Sequence, residues 1–154
     1  MSDVQQYLTS EKMQEFAKEL DMLKTEKRKQ VAENLEYAKK LGDLSENAEY
    51  HEARQEQAEV EDRINHIENL IKTAKIVDEK HGDVVSIGST VKVQKDGEKD
   101  IKEYKIVGSE EADMAHGKVS NLSPLGSALL GKKKGEKVSF MTPKGKVVYT
   151  LISI

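Results

Sequence analysis

Two stretches of helix-period apolar residues, joined by a short reversal, constrain this chain more than any other feature. From Thr9-Ser10-Glu11 the apolar positions run Met13, Phe16, Leu20 and Leu23 at alternating steps of three and four. They continue less cleanly through Lys27, Val31, Leu35, Ala38 and Leu41. Such spacing is a coiled-coil seam. Ser10 or Thr9 can cap the first free N–H groups, and Glu11 suits the positive end of the dipole. No Pro or Gly interrupts the pattern before Gly42. A helix of about 30 residues is ~45 Å long, and one this thinly apolar needs a partner. The partner lies downstream, where Tyr50, Ala53, Gln57, Val60, Ile64, Ile67, Ile71 and Ala74 keep the same alternation. A short turn makes two such helices antiparallel neighbours, with Met13, Phe16, Leu20 and Leu23 meeting Ile71, Ile67, Ile64 and Val60 in that order.

The reversal reads Gly42-Asp43-Leu44-Ser45-Glu46-Asn47-Ala48-Glu49-Tyr50. Gly42 can take a positive φ and end the first helix. Asp43 and Glu46 then admit two readings. As a capping box, Asp43 would accept an N–H from the first turn of the next helix and Glu46 would reach back. As chemistry, two carboxylates at an exposed tip make a poor free-standing Mg2+ site but a good half-site, completed by another molecule's carboxylates and a phosphate. A carboxylate fixed by a cap can still serve as a ligand, so the readings overlap.

After Asp78 the periodicity changes. Residues 84–87, 90–93, 103–107, 137–141 and 147–152 read as strands. Asp96-Gly97 and Pro143-Lys144-Gly145 supply turns. Ser123 to Gly131 reads as one short helix, with Ser123 at the cap, Pro124 in the first turn and Gly131 at the stop. The expected fold class is therefore α+β. A helical hairpin over residues 1–77 precedes a small antiparallel sheet with one short helix over 78–154.

Charge separates the same halves. There are 13 basic and 19 acidic residues up to position 80, and 12 against 9 beyond it. The first half lacks the basic face that counterion release requires. At 5% aromatic residues, a base-stacking platform is excluded. Within the first helix, Lys24, Lys27, Arg28 and Lys29 form a cluster that reads either as a solvated face with Glu partners or as a surface that meets nucleic acid or an acidic partner. The absence of cysteine excludes disulfides and thiolate chemistry. Residues 1–6 carry no secretory pattern, and no apolar run approaches a membrane span, so a soluble cytoplasmic protein is expected. His51, His66, His81 and His116 lack metal-ligand spacing and are read as structural or solvated. No nucleophile–base pair, phosphate loop or closed metal site stands out.

The run Gly42–His51 with Ala53-Arg54 resembles the tip signature of the Gre transcript cleavage factors of bacterial RNA polymerase, GreA type. Ser123-Pro124-Leu125-Gly126 with Ala128 to Lys132 resembles that family's second signature. The resemblance implies an N-terminal antiparallel coiled coil and an FKBP-like C-terminal domain that binds the rim of the polymerase secondary channel. Ser123, Pro124, Leu125, Gly126 and Gly131 are then the partner-binding candidates, and Lys24, Lys27 and Arg28 are candidates for RNA contact. It implies that the coiled coil delivers Asp43 and Glu46 to the polymerase active centre, with Asn47 and Tyr50 supporting the tip. There the two acids would share the second Mg2+ and orient the attacking water, so that the polymerase cuts backtracked nascent RNA at its 3′ end. The factor would be monomeric, bind no cofactor stably by itself, act in trans rather than as an enzyme, and reside with polymerase at the nucleoid. The competing expectations are a non-cleaving inhibitor of the same channel, an FKBP-like prolyl isomerase, and a plain coiled-coil interaction protein whose tip acids are only caps.

Overall fold

The computed structural model describes residues 4–154. Two compact units divide it, one of Met13–Thr73 and one of residues 4–12 with Ala74–Ile154. The sequence places its division later, between residues 77 and 78. The short N-terminal segment thus belongs with the C-terminal body.

The first unit is the expected hairpin. Helix α1 (Ser10–Met22), whose first turn lies in the other unit, leads through a π-helical turn at Leu23–Lys27 into α2 (Arg28–Lys40), and α3 (Ala48–Thr73) returns. One uninterrupted α-helix was expected before Gly42, and the π turn has a sequence cause. The seam steps by four three times running, Leu23 to Lys27 to Val31 to Leu35, which is one residue more than a heptad allows. The buried residues Phe16, Leu23, Val31 and Ala38 accordingly fall at steps of seven, eight and seven. A π turn absorbs one extra residue and keeps the apolar stripe on one side. Within it, the Thr25 hydroxyl donates to the Asp21 carbonyl at 2.7 Å. On α3 the buried set is Ala53, Val60, Ile64, Ile67 and Leu70. Leu70 and Ile71 flank Ile67 on either side of the stripe, and Leu70 is the more deeply buried.

Across the hairpin, ion pairs join charged side chains of the facing helices. Arg28 grips Glu61 through two bonds of 2.8 and 2.9 Å. Arg63 grips Glu19 at 2.6 and 3.0 Å and lies over the Phe16 ring. Lys27 meets Glu56, and Lys24 meets Glu68. The pairs lie at the surface, Lys27–Glu56 half-buried and the others more open, and surface pairs are individually weak. Together they select the antiparallel register.

The second unit holds a five-stranded sheet in the order β5-β4-β3-β7-β6. Its strands are β3 (Thr90–Lys95), β4 (Ile101–Val107), β5 (Lys118–Ser120), β6 (Lys137–Thr142) and β7 (Gly145–Ser153). Period-2 burial is clear in β3, where Val91 and Val93 are buried and Lys92 is exposed. The sheet was expected to be antiparallel throughout, but β5 pairs parallel to β4. With three residues and one apolar side chain, Val119, β5 carries too short an alternation to read from sequence. Residues 84–87, expected as a strand, make only one bridge, Val84 to Lys133. Their backbone pairs instead with the loop after the short helix: the Val85 N–H donates to Lys132 O and the Gly131 N–H to Val85 O. Helix α4 (Pro124–Leu129) packs Leu125 and Leu129 into a core with Val91, Val93, Ile106, Val119, Val138 and Leu151.

Residues 4–12 join this unit through a two-stranded parallel sheet of β1 (Tyr7–Leu8) and β2 (Lys75–Ile76). Two carboxylates then hold the start of α1. Glu111, buried, accepts from the Thr9 N–H at 3.1 Å and the Thr9 hydroxyl at 2.8 Å. Asp78 accepts from the Ser10 N–H at 2.8 Å and the Ser10 hydroxyl at 2.7 Å. Of the two expected caps, Thr9 is the one used, its Oγ1 accepting from the Lys12 N–H at 3.1 Å.

Candidate functional site

The reversal between α2 and α3 places its acids in the open. Gly42 has φ +128°, a conformation that favours glycine, and breaks the helix after Leu41. Asp43, Leu44, Ser45 and Glu46 are all exposed. The capping-box geometry is not what forms. The α3 helix begins at Ala48, too late for Asp43 to cap it. Asp43 instead closes a local turn, in which its Oδ1 accepts from the Ser45 N–H at 3.0 Å and from the Ser45 hydroxyl at 2.9 Å. Those two donors hold the Asp43 carboxyl below the usual carboxylate range, so it stays ionised. Asp43 Oδ2 and both Glu46 oxygens accept no hydrogen bond from the described residues. Both acids line an open concavity with Leu41, Asn47, Ala48 and Glu49.

Asn47 does the capping. Its Oδ1 accepts from the Tyr50 N–H at 3.1 Å, and its Nδ2 donates to the Ala38 carbonyl at 2.7 Å. One side chain thus satisfies an orphan donor at the start of α3 and adds a second donor to the Ala38 carbonyl near the end of α2, which also accepts from the Leu41 N–H at 3.1 Å. Tyr50 is half-buried and lies edge-on to the His51 ring, with centroids 5.7 Å apart. His51, read from sequence as structural or solvated, sends Nε2 to the Ser45 carbonyl at 3.2 Å. This contact is not legible from the residues alone, because a six-residue separation across a turn has no periodic signature.

No group of three or more His, Cys, Asp or Glu side chains among the described residues is arranged to hold a metal ion. The donor set at the tip is two carboxylates with three unengaged oxygens. That fits part of a hard-cation shell and matches the preference of Mg2+ for few protein ligands.

The other candidates are placed differently. Lys24, Lys27 and Arg28 are each paired with a glutamate of α3, so they form no free positive patch. Their partners sit on the facing helix, not at i+4 on their own, as a single-helix reading would have it. The second signature builds α4 and its seat. The Ser123 hydroxyl accepts from the Gly126 N–H at 3.1 Å and donates to Ser120 O at 2.7 Å. Leu125 and Gly126 are buried, and a Cβ on Gly126 would lie 2.0 Å from Ser120 O. Of this set only Pro124 and Gly131 are exposed. The aromatic side chains of residues 78–154 are taken up by the hydrophobic core: Tyr104 is part of it, and Phe140 and Tyr149 pack against it, stacked on each other at 5.9 Å between centroids. The concavity beside α4 is lined by Ser127, Ala128, Leu130, Lys132, Lys137, Val138 and Ser139, with no aromatic ring.

Comparison with known proteins bears on the whole chain. Residues 79–154 match the family described as transcription elongation factor, GreA/GreB, C-term, and residues 6–76 match transcription elongation factor, N-terminal. The transcription elongation factor GreA of Alkaliphilus oremlandii is 46% identical over 156 residues, covering 100% of this chain and 98% of the relative. GreA of Clostridium botulinum is 48% identical over 158 residues, with the same shares covered. A solved structure of the transcription factor Gfh1 aligns over 98% of this chain and 97% of its own at 27% identity, with a TM-score of 0.46. No helix among the described residues is long and apolar enough to cross a membrane.

Proposed function

This chain belongs to the GreA/GreB family of transcription elongation factors, and from that premise we propose that it binds bacterial RNA polymerase and stimulates the polymerase's own cleavage of backtracked RNA. The observation that carries the reading is the state of Asp43 and Glu46. Both are exposed on the turn of a slim hairpin, and neither is spent on capping α3. Asp43 is turned by Ser45 so that Oδ2 is left over. An acid that only capped would be bonded to the first-turn amides; Asn47 holds that post instead.

In this reading the C-terminal unit docks on the polymerase and the hairpin enters its secondary channel. Asp43 and Glu46 complete a site whose other ligands belong to the polymerase and the RNA phosphate. A second Mg2+ bound there would lower the pKa of an attacking water and offset charge on the phosphate. The chain's own contribution is to bring two fixed carboxylates, to orient that water by accepting its hydrogen bond, and to leave the nucleolytic step to the polymerase. The protein is a cofactor in trans and no enzyme by itself. Lacking an aromatic-lined pocket beside α4, the C-terminal unit offers little to a prolyl isomerase reading.

The test is RNA release from stalled, backtracked elongation complexes. Wild type should release 3′ fragments, and the Asp43→Asn, Glu46→Gln double variant should not, while both bind polymerase equally. Equal cleavage by both would refute the half-site. If neither cleaves and both slow elongation, the protein is a channel blocker.

A further inference from the structure

The acids at the tip face a mechanical problem. Asp43 lies outside both helices, exposed, and no packing fixes its rotamer. A carboxylate that must be ordered on meeting its target gives up binding energy to do so, and a site loose by an ångström loses most of its effect. The turn contains an answer. Ser45 donates both its N–H and its hydroxyl to one oxygen, Asp43 Oδ1, at 3.0 and 2.9 Å. Two donors on a single oxygen set the plane of the carboxylate and leave Oδ2 available. Ser45 is itself on an exposed turn, so its peptide needs an anchor.

We propose that His51 is a positioning residue for Asp43, acting through Ser45. The His51 side chain reaches back from the first turn of α3 to the Ser45 carbonyl, Nε2 to O 3.2 Å. A carbonyl only accepts, so Nε2 carries the proton. His51 is well placed to serve as the fixed end. Its N–H donates to Asn47 O at 3.1 Å within the first turn of α3, and its ring meets the Tyr50 ring edge-on. The chain of contacts runs from a helix end, through the imidazole, to the Ser45 carbonyl, and across the Ser45 Cα from its N–H and hydroxyl to Oδ1 of Asp43. The functional consequence rests on the cleavage reading above; the mechanical part does not.

Two variants of the full-length protein separate these levels. His51→Ala removes the donor. His51→Gln keeps an amide N–H that reaches about as far as Nε2, and serves as the rescue. In the free protein, amide exchange at Ser45 should be about tenfold faster in His51→Ala, the loss of roughly one hydrogen bond, and should return toward wild type in His51→Gln. In backtracked complexes at saturating protein, His51→Ala should need several-fold more Mg2+ for half-maximal cleavage, with polymerase affinity unchanged and His51→Gln restored. Wild-type exchange in His51→Ala overturns the anchoring. Faster exchange with an unchanged Mg2+ curve overturns the role in chemistry. If Asp43→Asn itself cleaves normally, the half-site reading has failed, and the exchange experiment still decides whether His51 holds the turn.

Discussion

Replacing Asn47 tests how the tip is held. The side chain makes two bonds to two helices: Oδ1 to the Tyr50 N–H at 3.1 Å and Nδ2 to the Ala38 carbonyl at 2.7 Å. Losing an N-cap of this kind costs about 1 kcal/mol. Losing a half-buried amide–carbonyl bond costs about 1 kcal/mol more. Asn47→Ala should therefore weaken the closed tip by about 2 kcal/mol, roughly 30-fold in the local opening constant. Asn47→Asp separates the two bonds. It keeps an accepting oxygen for the Tyr50 N–H but has no donor for Ala38, so about half the loss should appear. The assay is residue-resolved amide exchange on the full chain. Protection should fall in the last turn of α2 and the first turn of α3, while amides near Ile64, deep in the seam, hold their wild-type rates because the opening is local. Protection in Asn47→Ala within twofold of wild type at both turns would refute the two-bond account. If Asn47→Asp were as damaging as Asn47→Ala, the cap would be worth nothing and the Ala38 bond everything.

Three other perturbations address the C-terminal unit. Gly126→Ala places a Cβ 2.0 Å from Ser120 O, a backbone atom that cannot yield cheaply; it should cost about 3 kcal/mol, seen as a lower thermal midpoint for that unit with hairpin helicity unchanged. Glu111→Gln puts an amide N–H opposite one of the two Thr9 donors; a loss of about 2 kcal/mol is expected, and a neutral result in denaturant titration would mean that the buried carboxylate is not needed. Asp78 is held below the usual carboxylate range, first by the Ser10 hydroxyl and then by the Ser10 N–H. Its contribution is therefore present above the unfolded-state value and lost as pH falls through the depressed folded value. Asp78→Asn should be less stable than wild type at pH 7 and should converge with it in strong acid. A constant gap across that range would show that Asp78 acts by something other than its charge.

The hairpin is legible in the order of residues alone, because burial on a helix obeys a period that can be counted. Met13 to Leu23 and Tyr50 to Ala74 needed no coordinates to be paired. The order of residues also located the exposed acids, since Gly42 must end one helix and the seam resumes only at Tyr50. The α4 motif was legible too, with Ser123 at the cap and Pro124 at the first position. What each polar group does emerges only in three dimensions, because hydrogen bonds across a turn or between segments far apart in sequence leave no period. Asp43 and Glu46 had a capping reading that sequence could not remove; the start of α3 at Ala48, with Asn47 beneath it, removed it. Lys24, Lys27 and Arg28 show in the sequence as a cluster, but their glutamate partners on the facing helix are seen only in the fold. Glu111 joins Thr9 across a separation of 102 residues, and nothing local to either announces it. The π turn lies between the two cases: its cause, one extra residue in the seam, is written in the spacing, but only the fixed stripe on the facing helix forces the chain to absorb it there.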